Sequence, residues 1–253
     1  GDNIAVFSLV GIGGIGKTSL AQDVCNARDV KDRFDFVIWV CVSHDFDIQA
    51  LTRKILEDMT GREAPMVSLN ALQKELKERM SSKTFLLVLD DVWNDEKRMW
   101  EDELKPLLCS VGGQGSVIVV TCRSKQVASI MATVKPHELA FLSEEDSWEL
   151  FSNKAFSNGV QEQTELVTIG RRIVKKCWGL PLALKTMGGL MSSKQLVQEW
   201  EAIEKSSIGD NIRGKDEILP ILKLSYRHLI AEMKQCFAFC ALFPRTLRWK
   251  RTH

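Results

Sequence analysis

The stretch LVGIGGIGKTSL near the start of the chain fits two phosphate-binding patterns at once. Gly11, Gly13 and Gly16 fit G-x-G-x-x-G, the pattern of dinucleotide-binding turns. Gly11, Gly16, Lys17 and Thr18 fit G-x-x-x-x-G-K-[ST], the pattern of a P-loop. Both require a tight strand-to-helix turn that points backbone N–H groups and the positive end of a helix at phosphate. Either pattern therefore predicts an α/β fold, and the two differ in the ligand.

The residues after the glycines favour the P-loop. A dinucleotide site needs an acidic residue about 20 positions on, at the end of the second strand, and Asp35 instead precedes that strand. In a P-loop, Lys17 reaches the β- and γ-phosphates and Thr18 ligates Mg²⁺. Asp90 directly follows the apolar run FLLVL, where a carboxylate can help to hold the metal. A glycine turn without a ligand would leave all three side chains unexplained.

Two further polar residues have two interpretations each. Asp91 either orients an attacking water or pairs with a nearby base. Arg123 follows the run VIVVTC, where ligands of open α/β sheets bind. Its guanidinium either contacts a terminal phosphate and senses hydrolysis or forms a surface salt bridge.

Apolar runs alternate with helical patterns in the first part of the chain. The runs are apolar at nearly every position, which is typical of parallel strands covered on both faces. They occupy residues 4–10, 36–42, 84–92 and 115–122, with a shorter fifth run at 137–142. Helical patterns occupy residues 17–27, 48–59, 69–80 and 99–109. This alternation predicts a doubly wound parallel sheet.

After residue 142 the patterns are helical. Ser143, three residues before Asp146, predicts a helix N-terminus that resembles a capping box. Further helices are predicted near residues 165–177, 180–191 and 195–205, and the polar segment 206–216 is predicted to be a linker. Two more helical runs follow, so an α/β domain precedes a helical one and the start of a third unit.

Composition excludes few functions here. The net charge is +1, from 34 basic and 33 acidic residues, so bulk charge favours neither nucleic acid nor an anionic membrane as a partner. The seven cysteines are scattered and odd in number, which favours reduced thiols, with Cys236 and Cys240 in the core. No apolar run approaches the length of a membrane span, and a chain that begins at Gly1 is expected to be an excised piece.

Eight blocks in register resemble the NB-ARC domain of plant disease-resistance proteins, the nucleotide-binding leucine-rich-repeat receptors. The blocks are GIGGIGKTSLA, FDFVIWVCVSHDFD, LLVLDDVW, GSVIVVTCRS, LSEEDSWELFSNKAF, GLPLAL, LKLSYRHL and CFAFCALFP. The third block ends in Trp93. In this it resembles the corresponding block of receptors with an N-terminal coiled coil rather than a Toll/interleukin-receptor domain. Residues 1–142 then correspond to the P-loop domain, 143–210 to a helical subdomain, and 211–253 to a truncated winged-helix subdomain.

The resemblance implies a role for each matching residue. Lys17, Asp91 and Arg123 would be catalytic, Asp91 supporting hydrolysis and Arg123 reporting the γ-phosphate. Thr18 and Asp90 would hold Mg²⁺. The nucleotide-binding residues would be Gly11, Gly13, Gly14, Ile15, Gly16, Lys17, Thr18, Ser19, Arg123 and Pro181, the last packing against the adenine. From the sequence alone, Pro181 is predicted to begin a helix, and the two interpretations are compatible.

The family mechanism is a switch with ADP and ATP as ligands. ADP holds a closed resting form, ATP favours an open form that forms homo-oligomers and signals, and slow hydrolysis resets it. The implied partners are the receptor's own coiled-coil and leucine-rich-repeat domains, and the implied location is the cytoplasm. The family's Met-His-Asp block is not in this chain, and His253 is not its counterpart.

The tail RTLRWKRTH departs from the family, which continues after CALFP with an acidic helical run. We hypothesise that residues 245–253 are read out of frame after a single-base deletion. Three other functions stay open: a signalling ATPase outside immunity, an ordinary P-loop enzyme such as a small-molecule kinase, and a degenerate fragment that binds nothing. The family-specific blocks argue against a signalling ATPase outside immunity. The sequence shows no evident acceptor pocket or lid, which argues against an ordinary P-loop enzyme. The intact P-loop argues against a fragment that binds nothing.

Overall fold

The computed structural model describes residues 4–42, 47–93, 97–157, 163–206 and 219–243. The chain divides into two compact units. The first comprises Gly1–Ile12 and Gly16–Leu139, and the second Gly13–Ile15 and Ala140–His253. The hypothesis about the tail, and residues 207–216 of the predicted linker, lie outside the described residues. No described helix is both long enough and apolar enough to span a bilayer.

The first unit contains a parallel sheet of five strands in the order β2-β3-β4-β1-β5. The strands are β1 (Ala5–Val10), β2 (Phe36–Cys41), β3 (Phe85–Val92), β4 (Val117–Cys122) and β5 (His137–Glu138). The α/β class and the first four strands are confirmed. The fifth is shorter than predicted because its partner, β1, ends at Val10 and gives way to the glycine turn.

Helices connect these strands. They are α1 (Lys17–Asn26), α2 (Arg28–Arg33), α3 (Ile48–Thr60), α4 (Leu69–Met80), α5 (Lys105–Val111) and α6 (Lys125–Met131), and a π-helical stretch (Met99–Leu104) leads into α5. The sequence patterns predict α1, α3, α4 and the 99–109 segment. They miss α2 and α6, because six or seven residues are too few to display the helical period.

Strand side chains alternate between two apolar clusters, one on each face of the sheet. On β3, Leu87 and Leu89 join the cluster formed with α3, α4, α5 and α6, whereas Leu86 and Val88 join the cluster formed with α1. This alternation follows the two-residue period of a strand. It explains why the strand sequences are apolar at nearly every position, and it makes the sheet doubly wound as predicted.

The second unit is helical in its described part. Its helices are α7 (Glu144–Ala155), α8 (Thr164–Lys176), α9 (Pro181–Met191), α10 (Val197–Lys205), α11 (Leu219–Arg227) and α12 (Ala231–Cys240). Phe151 and Trp200 are fully buried and meet edge to face, with ring centroids 6.2 Å apart. The Ser143 hydroxyl accepts the Asp146 N–H (3.1 Å), which confirms the predicted N-cap. That hydroxyl also donates to the Asp146 carboxylate (2.8 Å).

The prediction that Cys236 and Cys240 lie in the core is wrong. Both thiols are exposed on α12, as are the rings of Phe237 and Phe239. An apolar helix is buried only where a second surface covers it, and no described residue of α12 is buried, although the Phe237 ring contacts that of Tyr226. Cys25, Cys122 and Cys177 are buried as free thiols. Burial raises the pKa of Cys122 to about 11 and that of Cys177 to about 12.

Candidate functional site

The glycine turn between β1 and α1 requires left-handed backbone at two positions. Gly14 has φ 81° and Gly16, the N-cap of α1, has φ 105°. Side-chain-bearing residues rarely adopt these angles, so glycine relieves strain at both. The turn brings the first N–H groups of α1 to the carboxyl end of β1, and such groups bind anions because they have no partner within the helix.

Lys17 begins α1 and is buried, with only 7% of its surface exposed. Its ammonium donates to the carbonyl oxygens of Gly11 (2.8 Å) and Ile12 (3.1 Å). Burial, and next the positive charge of Arg123, lower the pKa of Lys17 below its usual 10.5. An anion at this turn would oppose both effects, because it favours the charged form of Lys17.

Thr18 and Asp90 meet although they are 72 positions apart. The Thr18 hydroxyl donates to Oδ1 of Asp90 (3.0 Å), and Asp90 is a buried residue near the carboxyl end of β3. Both side chains supply oxygen ligands, which Mg²⁺ prefers, and this ion usually needs only one or two carboxylates alongside phosphate and water. The pair therefore fits Mg²⁺ chemically. No cluster of three or more potential metal-ligating His, Cys, Asp or Glu side chains occurs in the described ranges.

A β-bulge shapes the carboxyl end of β3. Leu89 pairs with Val120 and Val92 with Cys122, so two residues of β3, Asp90 and Asp91, stand opposite one residue of β4. Asp91 adopts a positive φ of 57°, which an aspartate tolerates better than most residues. Bulges of this kind redirect side chains and are common beside functional sites.

The residue opposite the bulge is Thr121, which the sequence patterns did not identify. Its buried hydroxyl donates to Oδ1 of Asp90 (2.6 Å) and accepts the N–H of Asp91 (2.9 Å). The Thr121 hydroxyl thus contacts the side chain of Asp90 and the backbone of Asp91. The available signal was a hydroxyl near the end of the otherwise apolar run VIVVTC.

Asp91 and Arg123 form an ion pair, with 3.7 Å between Oδ1 and Nε. Both side chains are about half exposed, so the pair contributes little to stability by itself. This contact matches the interpretation of Asp91 as the partner of a base. The ion pair does not test the role of Asp91 in hydrolysis, which stays a prediction.

The remaining predicted residues occupy different places. Ile15 is buried, Ser19 is exposed in the first turn of α1, and Gly13 is partly exposed in the glycine turn. Pro181 lies in the second unit, where it begins α9 as its sequence predicts. Its contact with an adenine stays a prediction. Within the second unit, which includes Gly14, the N–H of Leu182 donates to the Gly14 carbonyl oxygen (3.2 Å).

Two plant proteins are similar to nearly the whole of this chain. The Solanum bulbocastanum disease resistance protein RGA2 is 42% identical over 98% of this chain. The Arabidopsis thaliana disease resistance RPP13-like protein 4 is 36% identical over 95% of it. The chain spans only about a quarter of these relatives, 26% and 29% of their lengths.

Two solved structures share the fold. One is a signal transduction ATPase with numerous domains (STAND) protein with a tetratricopeptide repeat sensor, from Pyrococcus horikoshii. It has a TM-score of 0.52 and 17% identity, and the match covers 94% of this chain and 32% of that one. The other, from the Drosophila ORC bound to DNA, has a TM-score of 0.52 and 15% identity, over 92% and 60% of the two chains.

The NB-ARC domain model matches residues 1–161, well over half of the chain. This match covers the glycine turn, the Thr18–Asp90 pair and Arg123. The chain therefore belongs to the NB-ARC domain family, whose members bind nucleotides.

Proposed function

We propose that this chain is the ADP/ATP switch of a plant disease-resistance receptor of the coiled-coil type. The observation that carries the proposal is the 3.0 Å contact between Thr18 and Asp90, next to a buried Lys17 at a glycine turn. These are the three side chains that a P-loop needs for phosphate and Mg²⁺.

Each residue has a task that its position supports. The turn from Gly11 to Gly16 surrounds the phosphates with N–H groups, and Lys17 supplies the principal positive charge. Thr18 and Asp90 hold Mg²⁺, which when bound neutralises charge on the phosphate oxygens. Arg123 contacts the terminal phosphate that ATP has and ADP lacks. Asp91 assists slow hydrolysis.

The switch depends on a difference in affinity. A nucleotide changes the balance between two forms only as far as it binds one more tightly than the other. ADP stabilises the resting form, ATP stabilises the signalling form, and hydrolysis returns the protein to rest. In this proposal, tight retention of ADP matters more than the rate of turnover.

The receptor-level part of the proposal rests on the relatives. Two proteins whose names describe them as disease resistance proteins match nearly the whole chain. The full receptor would add a coiled coil and leucine-rich repeats, act in the cytoplasm and form homo-oligomers on activation.

The test is to denature the purified protein and identify the nucleotide that is released. We expect ADP from the native chain and none from Lys17→Arg, because a guanidinium cannot occupy the position of a buried ammonium with two carbonyl partners. Lys31→Arg is the matched control, since Lys31 is exposed on α2 and should not affect ADP. A native protein that releases no nucleotide, and binds none when ADP and Mg²⁺ are added, would contradict the proposal.

A further inference from the structure

The ring of Trp93 lies against the guanidinium of Arg123. The Arg123 Cζ atom is 4.4 Å from the ring centroid, well inside the range of a cation–π interaction. Trp93 directly follows β3 and Arg123 directly follows β4. Because these strands are parallel neighbours, both residues lie at the same carboxyl edge of the sheet.

Trp93 is not a core residue. It is 41% exposed, so burial alone does not explain a large aromatic ring at this position. The ring instead covers one face of a planar cation. Trp is the aromatic side chain that binds such cations best.

Asp91 restrains the same guanidinium from another direction. Its Oδ1 lies 3.7 Å from the Nε of Arg123. A guanidinium carries five N–H donors in a rigid, planar fork. Its face lies against Trp93 and its Nε towards Asp91, which restricts the group in tilt and rotation. Within the part of the chain that the structure describes, its terminal N–H donors remain available for an anion.

The positive charge of Arg123 also acts on Lys17, at the end of the glycine turn. Arg123 is the charged residue that most lowers the pKa of Lys17, so the two cations are within electrostatic reach of each other. Two neighbouring positive charges repel each other, and an anion that contacts both relieves the repulsion. A terminal phosphate has the charge and the oxygen atoms to do so.

We propose that Trp93 is the positioning residue for Arg123, and that its ring sets how well this domain distinguishes ATP from ADP. The inference rests on the proposed function, because it needs a nucleotide at the glycine turn. Trp93 acts through Arg123. The ring holds the guanidinium where its terminal N–H groups meet the γ-phosphate, so losing the ring weakens ATP binding and leaves ADP binding unchanged.

The test compares binding of ADP and of the slowly hydrolysed analogue ATPγS by calorimetry, with Mg²⁺ and nucleotide-free protein. We expect Trp93→Leu to weaken ATPγS binding about two- to fivefold, the equivalent of one exposed cation–π contact, and to leave ADP unaffected. Trp93→Phe keeps a ring and should retain most of the ATPγS affinity. In an Arg123→Gln background, Trp93→Leu should have no further effect, as a double-mutant cycle requires of a coupled pair.

Two results would overturn the inference. One is a Trp93→Leu protein that loses affinity equally for both ligands. The other is the same loss in the Arg123→Gln background as in the native one, which would make Trp93 structural. If Trp93→Leu fails to fold, the Trp93→Phe and Trp93→Tyr variants decide, because both should keep the ATPγS-to-ADP ratio within about twofold of the native value. A native protein that binds neither ligand overturns the proposed function, and this inference with it.

Discussion

Thr121 illustrates how one hydroxyl can organise a charged site. It donates to Asp90 and accepts from the backbone of Asp91, across the bulge of β3. Hydrogen bonds to charged groups contribute more to stability than hydrogen bonds between neutral groups. Removing such a bond from a buried carboxylate therefore destabilises the folded protein. Thr121 is therefore expected to support both the stability of this edge and the proposed binding of nucleotide and Mg²⁺.

Replacing Thr121 by Val removes the hydroxyl and keeps the shape of the side chain. We expect Thr121→Val to lower the free energy of unfolding by about 1–3 kcal/mol, since one buried and one partly buried hydrogen bond are lost. Urea denaturation measures this change. Thr121→Ser keeps the hydroxyl, so its free energy of unfolding should fall much less. Equal stability of Thr121→Val and the native protein would show that the bridge contributes nothing.

Lys17 makes stability depend on pH. Its pKa in the folded protein is lower than the usual 10.5, mainly because burial disfavours the charged form. Between these two values the unfolded chain binds more protons than the folded one, so the free energy of unfolding rises with pH. We expect that rise, measured by urea denaturation of nucleotide-free protein, to be absent in Lys17→Met. Parallel pH profiles for the two proteins would contradict this account.

Among the elements, the edge strand β2 is protected by α3. The Trp39 N–H donates to the Asp58 carboxylate (3.0 Å), and the Lys54 ammonium donates to the Cys41 carbonyl oxygen (2.9 Å). Because β2 ends the sheet, its outward backbone groups would otherwise be open to pairing with another chain. Side chains of a single helix thus occupy part of the edge.

Removing both of these side chains should expose the edge. We expect Asp58→Ala combined with Lys54→Ala to increase concentration-dependent self-association, as measured by sedimentation velocity. The control removes an exposed ion pair of the same charge types on α4, Lys74→Ala with Glu78→Ala, and should leave association unchanged. Similar behaviour of the two double variants would mean that these contacts do not protect the edge.

At the scale of the whole molecule, the chain divides into two compact units, and the apolar cluster around the sheet is formed by residues of the first. Leu89 belongs to the sheet's apolar cluster, and Phe151 lies in the helical unit against Trp200. Both side chains are fully buried. Local opening often follows compact units of this kind, so we expect each unit to open as its own cooperative element.

Matched core truncations test this separation. Phe151→Ala should cost about 3–5 kcal/mol and Leu89→Ala about 2–5 kcal/mol. In hydrogen exchange followed by mass spectrometry, we expect Phe151→Ala to accelerate exchange mainly in α7, α8 and α9. Leu89→Ala should act mainly on β1, β3 and β4. Uniform acceleration across both units in either variant would show that they open together.

Sequence alone determined the class of this fold and indicated the main residues of its candidate site. Strands covered on both faces are apolar at nearly every position, and the Gly-Lys-Thr turn and Asp90 lie near strand ends, so short-range patterns were enough. Tertiary structure decided three other features: the bulge that places Thr121 opposite two aspartates, the contact of the Trp93 ring with Arg123, and the exposure of α12. Each of these depends on which distant residues meet. A local pattern states what a segment can bury or bind, and only the folded chain supplies the partner.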